Sequence, residues 1–384
     1  MAPTQEALYG ALDLDLSWSE AELPERERTK HVHRLHPYLG KFIPQLVEAL
    51  LARYVPTRGR VLDPFAGSGT TLVQSLESGH DAAGADIAAF NCLLMGVKVA
   101  RYNEFTLEKE LRDCVERLER ACPGDSHSDC HLDVGDLAGA TPYVREWYAR
   151  RSAAELLFWR SAVDDYEHAD VLRVVLARAA RSARLTTHFD LDFPRLPQLE
   201  PYWCHKHRRT CRPVDRASHF LRRYSLDTLA RIKAFTRLRA RGPEALVRYG
   251  DSRDLEWDGP FDGIITSPPY PGLIDYHEQH RYAYELLGLD DLHELEIGAA
   301  ARGSGRGALE AYREGIAAAF RTALGALRAG APVLIVVNDR RDLYPEILAR
   351  AGLRLEDRLR RHVNRRTGRR AGEYFEDVLV ARAK

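Results

Sequence analysis

The chain contains no apolar run approaching the roughly 18 uninterrupted residues of a membrane-spanning helix. Cysteine is scarce: Cys92, Cys114, Cys122, Cys130, Cys204 and Cys211 are six among 384 residues and irregularly spaced. Such usage fits a reducing cytoplasm better than a disulfide framework. The first residues, Met1-Ala2-Pro3-Thr4-Gln5-Glu6, lack the basic start and apolar core of a secretory signal. Net charge is also missing, since 56 Lys/Arg balance 56 Asp/Glu, which looks wrong for a protein with a nucleic-acid partner. What remains is an ordinary composition, 45% apolar and 29% charged. The length suits one large α/β domain with an insertion, or two domains.

Resolved along the chain, the neutrality is a sum of opposites. From Pro201 to Arg248, 13 Lys/Arg face three Asp/Glu, a local net of +10. Between Arg358 and Arg370 there are seven arginines and no acid. Local distribution sets an electrostatic footprint, although a solvated face is the alternative reading of any charge run.

Residues 1–27 are polar and acidic, a loosely held tail or a cap, and the tail is bounded at residue 30. A Pro-Gly turn at 36–41 leads into a helix whose apolar residues at 43, 46, 47, 50 and 51 share one stripe. A strand at 60–63, a helix at 70–78 and a strand at 81–86 have the spacing of a parallel crossover. Residues 101–244 break this rhythm. Helical patterns at 104–121, 144–160 and 168–184 precede a Pro-punctuated passage, 190–213, and a basic helix, 215–240. The alternation resumes with strands at 247–251 and 262–266, helices around 277–287 and 308–329, and an apolar strand at 332–338. The ending, 353–361 and 374–381, reads as two strands joined by a basic tip.

Two segments carry the chemistry. Asp63-Pro64-Phe65-Ala66-Gly67-Ser68-Gly69-Thr70-Thr71 links a strand to a helix, and Thr266-Ser267-Pro268-Pro269-Tyr270 follows the strand at 262–266. Gly67 and Gly69 make a tight turn that lets backbone N–H groups approach a ligand at a helix N-terminus. No Lys follows the last glycine, which excludes a phosphate-loop ATPase, and the third glycine of a dinucleotide fingerprint is missing. Asp86 and Asp251 sit at two further strand ends, and at the first of them a carboxylate can accept both ribose hydroxyls of a nucleoside; helix capping or turn formation is the alternative role for each.

Together these motifs resemble the amino-group DNA methyltransferases, which methylate an exocyclic amine of cytosine or adenine. Ser-Pro-Pro-Tyr, as opposed to Asp-Pro-Pro-Tyr, is similar to the cytosine-N4 branch. The resemblance covers residues 31–100 and 245–384 and implies a Rossmann-like α/β sheet, mostly parallel, with a C-terminal antiparallel strand pair. It implies S-adenosyl-L-methionine as cofactor. Asp63 then faces the methionine ammonium, Asp86 the ribose, and Asp251 with Ser252 the adenine amine. Pro64, Phe65, Gly67, Gly69 and Thr70 form the loop, and Lys41 and Phe42 close over the methionine moiety. In the target half, the Ser267 hydroxyl and the Pro268 carbonyl are the two acceptors for the amine. Pro268 and Pro269 stiffen the backbone, and Tyr270 offers a stacking face to a base turned out of the duplex.

The cluster Asp275-Tyr276-His277-Glu278-Gln279-His280-Arg281-Tyr282 lines the base pocket or carries the departing proton, or else is a solvated helix face with Tyr282 packed inward. The carbon-5 cytosine enzymes need a Pro-Cys nucleophile, and no Pro-Cys dipeptide exists here. The implied partners are double-stranded DNA and, functionally, a cognate restriction endonuclease or defence system. Residues 101–244 become a mainly helical insertion that reads or holds DNA. Its candidate phosphate contacts are Arg222, Arg223 and Lys233, with Arg365, Arg366, Arg369 and Arg370 at the tip. Cys204, His207 and Cys211 invite a zinc reading, but their spacing matches no usual four-ligand pattern, and no metal is expected. Distant Cys122, Cys130 and His131 are the other candidate ligands. Three alternatives stand beside the main reading: adenine-N6 methylation of DNA, an RNA amine methyltransferase, and a non-catalytic DNA-binding subunit that keeps the fold.

Overall fold

Val333-Leu334-Ile335-Val336-Val337 is buried at every position, as a parallel strand covered on both faces must be. It lies inside a seven-stranded sheet of order β5-β2-β1-β6-β7-β9-β8. The strands are β1 (Arg60–Asp63), β2 (Asp81–Asp86), β5 (Ala245–Tyr249), β6 (Gly263–Thr266), β7 (Val333–Val337), β8 (Leu353–Val363) and β9 (Tyr374–Ala383). Strands β1, β2, β5, β6 and β7 are parallel neighbours, whereas β9 inserts antiparallel between β7 and β8. This is a computed structural model, and it describes residues 16–18, 22–40, 42–123, 137, 139–272, 274–303, 305–363 and 374–384.

The period of two in the strands divides the core. Val333, Ile335 and Val337 join Leu62 and Ile264 on one face, packed under helices Arg306–Leu324 and Tyr344–Ala351 through Ile316, Phe320 and Ile347. Leu334 and Val336 join Val61 and Ile265 on the other face, against Leu46, Val47, Leu50 and Leu51 of helix Pro44–Tyr54. Those four residues belong to the stripe read from the sequence.

The insertion is continuous with this core. Leu107, Leu111, Leu172, Val175 and Phe235 pack in the same cluster as Leu72, Phe90 and Leu94 beside the sheet. Its helices are Glu104–Ala121, Pro142–Trp147, Arg150–Ala162, Ala169–Ala183 and Ser218–Leu238.

Several boundaries differ from the sequence expectation. The helix expected at 144–160 is two helices, broken at Tyr148 and Ala149, whose extended backbone (ψ 142° and 146°) turns the chain. The basic helix begins at Ser218 rather than 215, because the buried Glu155 carboxylate accepts from the Ala217 and Ser218 amides at 2.6 and 2.8 Å and caps it there. The helix around 277–287 breaks at His280 into Tyr276–Gln279 and Arg281–Leu287. The helix expected to 329 ends at Leu324. The Pro-punctuated passage holds an unforeseen hairpin, β3 (Tyr202–Cys204) with β4 (Arg209–Cys211). Part of the N-terminal region is a cap: Leu16 is fully buried, and its carbonyl accepts from Arg361. Among the described cysteines Cys92, Cys114, Cys204 and Cys211 are free, while Cys122 is disulfide-bonded.

Candidate active site

Four parallel strands deliver their carboxyl ends to one cleft. Asp63 ends β1, Asp86 ends β2, Asp251 follows β5 and Ser267 follows β6. The chain leaves β1 for β2 on one side while β6 lies on the other, so β1 and β6 flank a topological switch point, where ligands bind in open α/β sheets. The cleft there encloses about 850 Å³, open solvent included, and its lining includes Phe42, Pro64, Phe65, Gly67, Thr70, Asp86, Asp251, Ser252, Ser267 and Pro269. Lys41 lies outside the described residues.

The loop under the cleft is tightly built. Gly67 and Gly69 have φ of 52° and 78°, in the left-handed region that favours glycine. A Cβ at Gly67 would stand 2.8 Å from the Tyr38 hydroxyl, and one at Gly69 would meet Met95 at the same distance. Gly67→Ala therefore has two penalties, strain and collision with a cleft residue. Its expected result is at least a tenfold loss of cofactor affinity by calorimetry, with cooperative unfolding retained.

Two acids, Asp63 buried and Asp86 half-buried, organise this loop. One Asp86 oxygen accepts from the Gly67 amide at 3.0 Å, and the other from the Ala88 amide at 2.8 Å and the Asn91 side chain at 3.1 Å. Burial outweighs these bonds and pushes its carboxyl up to about 6. Asp63 sits beneath the loop, 1% exposed, accepting from the Thr266 hydroxyl at 2.6 Å and the Phe65 amide at 3.1 Å. It too is raised by burial to about 6. Asp251 lines the cleft, but its carboxylate pairs with the Arg253 guanidinium, and Ser252 donates to the Pro64 carbonyl.

Sequence reading missed several residues here. Tyr38 and Tyr276 both line the cleft and stack on each other with ring centroids 5.4 Å apart. Glu296, buried, lines the cleft and pairs with His277. Lys98, also buried, donates to the Ser68 carbonyl and fixes the turn from below. Tyr38 was legible as part of the Pro-Gly turn; Glu296 had no signal, being far from either motif. Of the cluster at 275–282, Tyr276 reaches the cleft, whereas Tyr282 packs inward with its hydroxyl 3.1 Å from His36. His280 is buried and held neutral, its imidazole lowered to about 3 chiefly by desolvation.

At the second motif, the Ser267 hydroxyl donates to the Val336 carbonyl at 2.9 Å. With its proton directed there, Oγ keeps acceptor capacity, the state in which it accepts from an amine. The Pro269 carbonyl accepts from Tyr312 at 2.9 Å, which pins the turn. Tyr270 is half-buried, with Ser267 and Tyr374 as its hydroxyl's partners, and stands outside the cleft lining.

Arg222, Arg223 and Lys233 are not among the residues lining this cleft. Arg222 pairs with Glu119 at 3.1 Å and Lys233 with Glu108, both acids on helix Glu104–Ala121. Arg223 lies over the Tyr224 ring. Arg365, Arg366, Arg369 and Arg370 lie outside the described residues. These two ion pairs set two acids of another helix against the +10 that the sequence shows for this segment.

The cleft suits a ligand with a cationic end and a polar ring. It holds the acids Asp86, Asp251 and Glu296, a pair of stacked tyrosines, and Ser68, whose hydroxyl is buried without a hydrogen-bond partner. Comparison with known proteins agrees. Residues 12–95 match the family model described as DNA methylase. The Type II methyltransferase M.MjaII of Methanocaldococcus jannaschii is 36% identical over 449 aligned positions, covering 98% of this chain and 84% of the relative. The Type II methyltransferase M.MvaI of Kocuria varians is 21% identical over 277 positions, covering 69% of this chain and 59% of that one. The crystal structure of TrmN from Thermus thermophilus is 13% identical, spanning 90% of this chain and 50% of its own, with a TM-score of 0.35. That score adds nothing to the strand order. The chain belongs to the amino-group DNA methyltransferases, the S-adenosyl-L-methionine-dependent family to which its glycine loop and Ser-Pro-Pro-Tyr turn point.

Proposed function

We propose that the protein methylates the exocyclic N4 amine of a cytosine turned out of duplex DNA, at one short sequence, as the modification enzyme of a restriction or defence system. The observation that carries this reading is Ser267, a hydroxyl held as an acceptor at the mouth of the cofactor cleft. S-adenosyl-L-methionine, when bound, supplies an electrophilic methyl group on a positively charged sulfur. An exocyclic amine is a poor nucleophile because its lone pair is delocalised into the ring. Ser267 Oγ and the Pro268 carbonyl accept its two N–H groups and so orient that lone pair toward the cleft. Serine is too weak a base to remove the proton first, so proton loss follows transfer, and positioning is the main source of rate. Asp86 receives the ribose hydroxyls on its remaining lone pairs. Asp63 provides the negative field for the ammonium, and Phe42 an apolar wall. Asp251 and Ser252 serve the adenine end, Asp251 once its carboxylate turns from Arg253.

Purified protein, S-adenosylmethionine and duplex DNA are expected to yield N4-methylcytosine when the product is digested and its nucleosides chromatographed. N6-methyladenine alone would reject the cytosine branch, and methylation of RNA alone would reject the substrate class. The name Type II borne by both relatives supports the restriction-modification reading.

DNA contact by the basic helix has its own signature. Arg222 and Lys233 are in exposed pairs of small net worth, which phosphate oxygens can replace. Substituting Arg222, Arg223 and Lys233 with Ala is expected to weaken target and non-target duplexes alike. The slope of log K against log salt then becomes shallower by about one unit for each true phosphate contact. An unchanged slope in a folded, cofactor-binding protein would move DNA contact away from this helix.

A further inference from the structure

The hairpin at 202–211 is too small to hold itself. Each strand has three residues, and Trp203 at its centre is 59% exposed. An isolated two-stranded hairpin is marginal even when longer. The passage before it also lacks a core of its own, with Phe189, Leu196 and Leu199 exposed. Yet both cysteines of the hairpin, Cys204 and Cys211, are buried, free and turned to one point. There they meet His207, from the turn between the strands, and His188, from the chain that precedes them.

The four side chains bring one ligand atom each to within 4.8 Å of one another. Cys204 Sγ lies 3.6 Å from His188 Nδ1 and 3.7 Å from His207 Nδ1, and Cys211 Sγ lies 3.4 Å from His207 Nδ1. Tetrahedral zinc takes sulfur at about 2.3 Å and nitrogen at about 2.0–2.1 Å, so neighbouring S and N ligands stand about 3.6 Å apart. All three sulfur–nitrogen distances fall near that edge length. A thiol–imidazole hydrogen bond explains one such distance; it does not explain two thiols and two imidazoles closing one tetrahedron. Local geometry supports the arrangement. Arg208 has φ of 51°, a left-handed residue that tightens the turn carrying His207. Tyr202 accepts the His188 backbone N–H at 3.0 Å, and its hydroxyl lies 2.8 Å from His188 Nδ1, holding the ring beside Cys204.

We propose that His188, Cys204, His207 and Cys211 form a structural zinc site that pins the hairpin to the passage at 186–200. Sequence spacing concealed it, because three ligands lie within eight residues and the fourth is 16 residues upstream of the first. Cys122 is excluded as the fourth ligand by its disulfide, and Cys130 and His131 lie outside the described residues. The set is closed, with four protein ligands and no position for substrate, as structural rather than catalytic zinc sites are. Zinc binds the thiolates, so each metal taken up releases the two thiol protons to solvent, and the Tyr202 hydroxyl gives up its bond to the His188 nitrogen that the metal occupies.

The full chain, purified under reducing conditions, is expected to carry about one zinc per molecule by elemental analysis. After chelation and reloading with cobalt it should show the intense visible bands of a tetrahedral thiolate site. Cys204→Ser and Cys211→Ser should abolish those bands, whereas Cys92→Ser with Cys114→Ser should keep them. Because a ligand variant can misfold, limited trypsin digestion of the wild-type protein provides a second reading. Chelation should open cleavage within 195–212, zinc should close it again, and S-adenosylmethionine binding should persist throughout. A reduced protein that takes up neither zinc nor cobalt, or cobalt bands that survive both cysteine substitutions, would overturn the assignment.

Discussion

Alanine at Ser267 is expected to lower turnover about a hundredfold while cofactor affinity changes no more than a few-fold. The magnitude is that of removing one preorganised hydrogen-bond partner from a reacting group. The split follows from geometry. Ser267 donates to the Val336 carbonyl on the strand next to its own, so its acceptor side is aimed by the sheet itself. Loss of Oγ leaves the amine with one acceptor instead of two, and the loop at Gly67 is untouched. Tyr270→Phe separates aim from presence, because it keeps the Ser267 oxygen and deletes the hydroxyl bonded to it. A fall of about tenfold is expected there, again in kcat and not in cofactor Kd. Single-turnover kinetics with saturating duplex reads both. Unchanged turnover in Ser267→Ala would remove this residue from the chemistry and leave the Pro268 carbonyl as the amine's acceptor.

What the sequence revealed, and what it hid, divides along the range of the interactions involved. Strands β1 and β2 with the helix between them were legible to the residue, because a glycine turn and an alternating apolar pattern are local signals. The stripe on Pro44–Tyr54 was legible for the same reason. Boundaries set by a distant side chain were not. The start of helix Ser218–Leu238 depends on Glu155, 62 residues away, and no local pattern announces it. Site residues divide in the same way. Asp63, Asp86 and Ser267 were legible because each sits at a strand end; Asp86 and Ser267 line one cleft, while Asp63 lies buried beneath its loop. Glu296 and Lys98 were invisible, since each matters only through a neighbour that the fold supplies. The basic segment shows what a charge count leaves out. Residues 201–248 carry a net of +10 in sequence, but Glu108 and Glu119, which pair with Lys233 and Arg222, belong to another helix more than 100 residues earlier. Charge counted along a chain misses charge met across space.

Cofactor affinity is expected to rise steeply between pH 5 and pH 7, about tenfold if one of the two loop acids must ionise and about a hundredfold if both must. Asp63 and Asp86 are each raised to about 6, first of all by burial. In the free protein both protons are largely on at pH 5 and largely off at pH 7. The folded state therefore binds more protons than the unfolded chain between about pH 4 and pH 6. Stability conferred by those protons falls as pH rises through that window, by roughly 3 kcal/mol per group. A cationic ligand reverses the balance, because it favours the ionised form that burial opposes. The cofactor's ammonium stays protonated across this range, its ordinary value lying near 8, so the titration belongs to the protein. The rise in melting temperature on adding cofactor should accordingly be larger at pH 7 than at pH 5. Asp86→Asn provides the control. At pH 7 it should lose about 1.5–3 kcal/mol of cofactor binding, the worth of hydrogen bonds to a charged group. At pH 5, where wild-type Asp86 is already neutral, it should bind nearly as well as wild type, with at most the tenfold rise that Asp63 supplies. Calorimetry with a wild-type Kd flat from pH 5 to pH 7 would show that neither acid ionises on binding, and the cationic end of the ligand would then lie elsewhere in the cleft.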